Sequence, residues 1–213
     1  MNKYRRRNLV SRVSRTSLAS LLSLALVAAA AGVLTAAGTS WRPGKGDVRI
    51  TCPLTIGGSF QAKTNALSGL LTPSSTHPSS YEGSLVVDLR SIDTGINLRN
   101  EHLREKYLEV DKAPAYATAT LSAIDLKGVD PDAPDGKGTF TGSLMLHGTT
   151  KAVSGPVEVR KAGSGVRVKA SFPVNLSDYN IPEPRYLGVG VKNTVQVDVS
   201  FVAATDSGTT PTR

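Results

Sequence analysis

The residues of this chain that could do chemistry are few and far apart. His77, His102 and His147 have none of the short spacings of a metal site, and no HExxH motif is present. The single cysteine excludes a zinc site built from several cysteines. No Gly-x-Ser-x-Gly segment, the turn that presents the nucleophilic serine of many hydrolases, occurs either. We therefore expect neither catalysis nor a metal ion or other cofactor.

Cys52 is the one thiol in 213 residues, so no disulfide can form within the chain. A free cysteine outside a reactive site behaves as a small hydrophobic residue and is commonly buried. We interpret Cys52 in this way. A disulfide-linked homodimer is the alternative.

The positive charge of the chain is concentrated near its N-terminus. The sequence carries 25 Lys and Arg against 17 Asp and Glu, a formal net charge of +8. Six of the cations precede residue 16, so residues 38–213 have 19 cations, 17 anions and a net charge of +2. Aromatic residues make up 5% of the chain, which leaves few platforms on which bases could stack. No nucleic-acid partner is therefore expected.

Residues 1–37 have the pattern of an export signal peptide. A basic segment precedes an uncharged run rich in Leu, Val and Ala, and Thr35-Ala36-Ala37 would suit a signal peptidase. The uncharged run is also long enough to span a bilayer, so a retained membrane anchor is the alternative. Arg6-Arg7 resembles a twin-arginine signal incompletely, which leaves the export route open. The pattern predicts an extracytoplasmic protein (periplasmic, cell-surface or secreted), with residues 38–46 as a linker.

Residues 47–204 are dominated by an alternation of apolar and polar side chains. In residues 166–172 and 195–201 every second residue is apolar, and turn-forming residues separate such runs. Residues 100–109 break this period with good helix formers and predict one short helix. Many short strands indicate an antiparallel sandwich or a closed barrel. The polar residues 205–213 have no period and predict a disordered tail.

Three motifs in a fixed order resemble those of a known family. They are LVVDLRSIDTG at residues 85–95, LRNEHL at residues 98–103 and GSLMLHGTTKAV at residues 142–153. Together they resemble the YceI family of bacterial lipid- or polyisoprenoid-binding proteins, and the resemblance covers about residues 46–204. It implies an all-β fold, an antiparallel eight-stranded up-and-down lipocalin-like barrel with one short inserted helix. It also implies a long apolar ligand, such as a polyisoprenoid or a fatty amide, inside that barrel.

A barrel of eight strands is just wide enough to hold one small ligand. The alternation predicts which side chains point inward, although it cannot tell a cavity lining from a filled core. The predicted inward-facing residues are Phe60, Leu85, Val87, Leu121, Phe140, Gly142, Leu144, Leu146, Val168, Phe172, Val197 and Val199.

Polar residues near the helix could hold a ligand head group at the rim of the barrel, because arginine pairs well with phosphate and Asn and His supply neutral donors. The candidates are Arg99, Asn100, His102, Arg104 and His147, with Tyr179, Tyr186 and Leu187 as possible lid residues in a Pro/Gly-broken loop. Alternatives stay open: Asn100 could cap the helix, Arg104 could be solvated, and His147 could be a structural hydrogen-bonding residue.

The sequence thus predicts an exported, non-enzymatic protein that carries a long-chain lipid or isoprenoid. It would contact the membrane through its N-terminal segment if that segment is retained. The alternative is an extracytoplasmic β-domain without a ligand, acting as a protein-interaction or stress-related module.

Overall fold

The structure, a computed structural model, describes residues 40–130, 135–186 and 188–206. The predicted leader, residues 1–37, and residues 207–213 of the predicted tail lie outside the described residues. Within the described ranges the chain forms eleven strands: β1 Ser40–Pro53, β2 Ser59–Thr64, β3 Leu67–Pro73, β4 Ser80–Asp88, β5 Thr118–Lys127, β6 Gly136–Leu146, β7 Thr149–Ala162, β8 Gly165–Asn175, β9 Arg185–Tyr186, β10 Val189–Gly190 and β11 Thr194–Asp206.

One short helix lies between β4 and β5. It begins as an α-helix, α1 Asn97–His102, and continues as a π-helical turn over Leu103–Tyr107. The predicted helix is therefore present, shifted by about one turn toward the N-terminus. Single 3-10 turns occupy Leu89–Ser91, Pro114–Tyr116 and Leu176–Tyr179. No helix in the described part of the chain is long and apolar enough to cross a membrane.

The sheet closes on itself through β1. One edge of β1 pairs with β11, from Ser40 opposite Asp206 to Thr51 opposite Gln196. Its other edge pairs with β2 and, through Trp41 opposite Leu71, with β3. Strands β2 and β3 act as one strand interrupted at residues 65–66, and all neighbours are antiparallel. The result is the predicted eight-stranded antiparallel barrel.

The interpretation of residues 38–46 as a linker is wrong for residues 40–46. Strand β1 begins at Ser40, and residues 205–206 of the predicted tail belong to β11. The segment has no apolar-polar alternation, and Pro43 cannot donate a ladder hydrogen bond. It forms a strand because the end of β11 supplies a partner, and a register shift between Pro43 and Gly46 accommodates the irregularity. This pairing joins distant parts of the sequence.

We call one end of the barrel the helical end. It carries the β1–β2 turn, α1, the β6–β7 turn, and residues 176–186 and 188–191. Hydrogen bonds such as Thr55 to Gly190 and Tyr107 to Arg185 join these segments. The opposite end carries the β3–β4, β5–β6 and β7–β8 connections together with the start of β1.

Candidate functional site

The barrel encloses a cavity of about 880 Å³. Its described walls are almost entirely apolar and come from all eight strands of the barrel and from the helix. This volume falls within the usual range of small-molecule sites, roughly 300–1,000 Å³. Eleven of the twelve residues predicted to face inward lie on the cavity wall: Phe60, Leu85, Val87, Leu121, Phe140, Leu144, Leu146, Val168, Phe172, Val197 and Val199.

The exposure of the inward side chains decides between a lined cavity and a filled core. Leu85, Leu121 and Val197 point into the barrel, yet each is only half-buried. In a closely packed interior such residues would be fully buried. Others on the same wall, including Phe140 and Phe172, are buried and pack edge to face with ring centroids 5.4 Å apart. The barrel therefore has a packed wall around an open centre.

Gly142 is the exception among the predicted lining residues. It is buried and shares a face with Phe140 and Leu144, but Leu121 from the neighbouring strand covers it. A Cβ atom at position 142 would lie 2.9 Å from Leu121 Cδ1, so a side chain there would have to displace the end of the Leu121 side chain. Gly142 therefore lets Leu121 lie flat against the wall and does not itself face the cavity.

The cavity opens at the helical end. Ile96 and Leu98 line it and are nevertheless 50% and 51% exposed. Ile56, in the β1–β2 turn, is 74% exposed at the same end. At the opposite end the described lining residues, among them Trp41 and Val166, are half-buried or buried. The mouth of the cavity therefore lies between the β1–β2 turn and α1.

Among the described residues, basic side chains line the cavity only at its helical end. Arg99 and His102 come from α1, and Arg185 comes from β9. The guanidinium of Arg99 lies 4.2 Å from the ring centroid of Phe60, a cation–π contact. No Asp or Glu occurs among the described lining residues. Two of the predicted head-group residues, Arg99 and His102, are thus on the wall.

The structure corrects both interpretations of Asn100, as a head-group residue and as the helix cap. This residue neither faces the cavity nor caps the helix. It lies inside α1, is buried, and its Oδ1 accepts hydrogen bonds from the backbone N–H and the hydroxyl of Thr94, both at 2.7 Å. Its Nδ2 donates to Asp93 Oδ1 at 2.7 Å. These bonds hold the turn before the helix, and the Asn100 amide and the Gly95 N–H lower the pKa of Asp93 because both donate to its carboxylate.

Arg104 also lies away from the cavity. Its Nη1 donates to the backbone carbonyl oxygen of Arg90 at 3.5 Å, outside the barrel wall. Arg99 lies in α1, whereas Arg104 lies in the π-helical turn that follows it. Arg99 therefore lines the cavity, and Arg104 lies off its wall.

His147 is a structural residue, as the alternative interpretation proposed. It is 6% exposed and is not among the residues of the cavity wall. Its Nδ1 donates to the carbonyl oxygen of Tyr179 at 3.0 Å, and its Nε2 lies 3.2 Å from Glu109 Oε2. Its ring packs against Tyr116 with centroids 4.1 Å apart. His147 therefore joins three segments of the helical end.

Tyr179 is a core residue and not a lid. It is 2% exposed, and its hydroxyl has no hydrogen-bond partner among the described residues. Burial therefore raises the pKa of its phenol. The side chain of Tyr186 and all of Leu187 lie outside what the structure describes.

Cys52 is buried and lies on the cavity wall, in agreement with its interpretation as a small hydrophobic residue. Burial raises the pKa of its thiol to about 11, and the nearby positive charge of Arg99 opposes that rise.

Several lining residues escaped the sequence argument: Trp41, Ile96, Leu98 and Arg185. Ile96 and Leu98 flank the start of α1 and lie next to Arg99-Asn100. Their position beside the predicted head-group residues is the feature of the sequence that could have identified them. Arg185 lies in a segment that the sequence predicts as a loop, and Trp41 lies in the predicted linker; neither segment has a periodicity that could reveal a lining residue.

A family model described as a YceI-like domain matches residues 41–203, most of the chain. The chain belongs to the YceI-like family. Among curated relatives, a UPF0312 protein of Vibrio vulnificus is 30% identical over 135 residues, which is 60% of this chain and 68% of that protein. Protein YceI of Salmonella arizonae is 30% identical over 122 residues, 53% of this chain and 59% of that protein.

Solved structures show the same fold. A polyisoprenoid-binding domain from Saccharophagus degradans superposes with a TM-score of 0.60 at 17% identity, covering 78% of this chain and 99% of that one. BcnA of Burkholderia cenocepacia gives a TM-score of 0.57 at 20% identity, covering 74% and 96%. The resemblance noted from the sequence motifs and the predicted YceI-like barrel are both confirmed.

Proposed function

We propose that this YceI-like chain is an exported carrier that holds one long-chain lipid, of polyisoprenoid or fatty amide type, inside its barrel. The observation that carries the proposal is the apolar cavity of about 880 Å³, open at the helical end. The polyisoprenoid-binding domain of the same fold supports this ligand class. The function is binding and release without catalysis.

The energetics suit a tail of this kind. Each buried CH₂ group contributes about 0.8 kcal/mol, so ten carbons provide roughly 8 kcal/mol before the cost of immobilising the ligand. No directional contact is needed for such a tail, so the strands can present Val, Leu, Ile and Phe alone. Orientation would come from the few polar groups at the helical end.

The proposal of export rests on the sequence and not on the fold. The basic and apolar pattern of residues 1–37 would direct the chain across the membrane. If the segment is retained, it would keep the carrier at the membrane from which a lipid is taken. N-terminal sequencing of the protein recovered outside the cytoplasm distinguishes the cleaved from the retained form.

The carrier proposal can be tested with the protein's own tryptophan. Trp41 is the single tryptophan of the chain and lines the cavity near its closed end. Entry of a long apolar tail should shift its fluorescence, and organic extraction of the freshly purified chain should yield a lipid by mass spectrometry. Absence of both signals would overturn the proposal and favour the ligand-free interaction module.

A matched pair of variants sharpens this test. Ala170 lines the cavity, whereas the adjacent Lys169 is exposed on the outer face of β8. Ala170→Phe should therefore fill part of the cavity and reduce lipid content. Lys169→Phe, which places the same bulk outside, should leave lipid content unchanged.

A further inference from the structure

The charge of the cavity wall is one-sided. Among the described lining residues are two arginines and no carboxylate, and both arginines lie at the helical end. The rest of the wall is apolar apart from hydroxyl groups, His102 and the Cys52 thiol. For a ligand without any charge, a fixed positive charge at the mouth of the site would only add a desolvation cost.

Arg99 is the inner of the two cations. It is half-buried and stacks over Phe60, and its guanidinium has no ion pair or hydrogen bond with any other described residue. The charge reaches the interior, because Arg99 opposes the effect of burial on the pKa of the Cys52 thiol in the wall. The hydrogen-bond donors of the Arg99 guanidinium are therefore free to bind a ligand group in the cavity.

Arg185 marks the outer edge. Its side chain is 70% exposed and pairs with Glu183 at 3.2 Å. The hydroxyl of Tyr107 donates to the Arg185 carbonyl oxygen at 3.3 Å and accepts from the Arg185 N–H at 3.2 Å. These two bonds hold the Arg185 segment against the helix, so both guanidinium groups border the same mouth. Because Arg185 already has an acid partner, Arg99 is the cation left to bind a ligand.

A partly desolvated guanidinium beside apolar walls gains most from an anionic partner. Its planar set of donors fits the paired oxygens of a carboxylate or a phosphate, and such charged hydrogen bonds are stronger than neutral ones. An alcohol or an amide head would leave the positive charge of Arg99 uncompensated. Charge and geometry therefore favour an acid over a neutral lipid.

We propose that the ligand is an anionic amphiphile whose carboxylate or phosphate lies against Arg99 at the helical end, with its tail in the barrel. The inference rests on the carrier function proposed above: it keeps the long apolar tail and assigns that tail an anionic head in place of a neutral amide. It fixes the direction of the ligand, head at α1 and tail toward Trp41. It also makes Arg99 the residue that discriminates between an acid and the corresponding alcohol.

The test compares acids with alcohols of the same chain. Palmitate with hexadecanol, and farnesyl phosphate with farnesol, are titrated into the purified chain with Trp41 fluorescence as the readout. We expect each acid to bind roughly 10- to 100-fold more tightly than its alcohol, as a charged hydrogen-bonded pair provides. The two acids differ in their tails, so the head groups are compared through the acid-to-alcohol affinity ratio of each pair. The pair with the larger ratio identifies a carboxylate or a phosphate as the favoured head group.

Two variants locate the effect. Arg99→Gln should remove the preference for the acid while alcohol binding is retained, and Arg104→Gln, in the same helical segment but off the wall, should leave the preference unchanged. A cooperative thermal unfolding transition, measured for each variant, serves as the check that the variant is folded. Equal binding of acid and alcohol, or an unchanged preference in Arg99→Gln, overturns the anionic head group while the carrier function stands. Failure of all four probes to bind overturns the carrier function itself.

Discussion

His147 and Glu109 meet at 3.2 Å, and both residues hold backbone angles in the left-handed region, with φ of 49° and 47°. Non-glycine residues adopt this region at a cost, so the surrounding contacts must compensate for it. His147 supplies them through the Tyr179 carbonyl and the Tyr116 ring as well as through Glu109. Because all these groups lie at the helical end, the pair braces the segments around the cavity mouth.

Replacement of His147 should destabilise the fold without changing which ligand the cavity prefers, because His147 does not line the cavity. His147→Asn tolerates the left-handed backbone but cannot reach both partners. The loss of buried hydrogen bonds should lower the free energy of unfolding by roughly 1–3 kcal/mol, measured by urea denaturation. His77→Asn, at an exposed position, serves as the control. An unaltered denaturation midpoint in His147→Asn would show that the brace contributes nothing to stability.

Glu109 should add a pH dependence to stability. The hydrogen bond from Lys112 lowers the pKa of this carboxyl, and His147 adds to the effect. A carboxylate with a pKa lower in the folded than in the unfolded state stabilises the fold above about pH 4.5, and this contribution is lost as the pH falls further. Glu109→Gln should therefore lose less stability than the native chain between pH 5 and pH 3.

The comparison with Glu109→Gln requires a control, because Asp93, Asp125 and Glu158 also have lowered pKa values and lose stability in acid. Glu101→Gln, at an exposed position of α1, should follow the native curve. Superimposable acid-unfolding curves for Glu109→Gln and the native chain would contradict the prediction.

Gly142 should control cavity volume indirectly, through Leu121. A side chain at position 142 meets the end of the Leu121 side chain, which can yield only by moving away from the wall. Gly142→Val should therefore reduce the uptake of a long-chain probe, and the double variant with Leu121→Ala should recover much of it. Thr141→Val, on the exposed face of the same strand, is the control. A folded Gly142→Val variant with full uptake would be inconsistent with this arrangement.

Cys52 should be chemically inert. With a thiol pKa of about 11, roughly one molecule in a thousand carries the reactive thiolate at pH 8. Alkylation by iodoacetamide should be slow in the folded chain and fast in urea, and the chain should run as a monomer on non-reducing gels. A disulfide-linked dimer would instead support the homodimer that the sequence left open.

Some features of this protein follow from local sequence. Alternation placed eleven side chains on the inner face, because successive residues of a strand point to opposite sides. Residues 100–109 predicted a helix because their propensities are local, although the boundary moved to Asn97. The three motifs indicated the YceI-like barrel, and the match of a YceI-like family model to residues 41–203 confirms that family.

Other features depend on contacts between distant residues. Ser40 joins a strand because Asp206 lies opposite it, a pairing across the whole domain. Asn100, Arg104 and His147 looked alike as polar rim candidates, and only the packing around each one separates them from Arg99.

The sequence by itself determined the barrel, its inward face and the basic, apolar segment that predicts export. The tertiary structure decided that the inward face encloses an open cavity, that its mouth is at the helical end, and that Arg99 is the cation on the wall left without an acid partner. The reason is physical: strand periodicity is a property of neighbouring residues, whereas free volume and charge pairing depend on how distant segments meet.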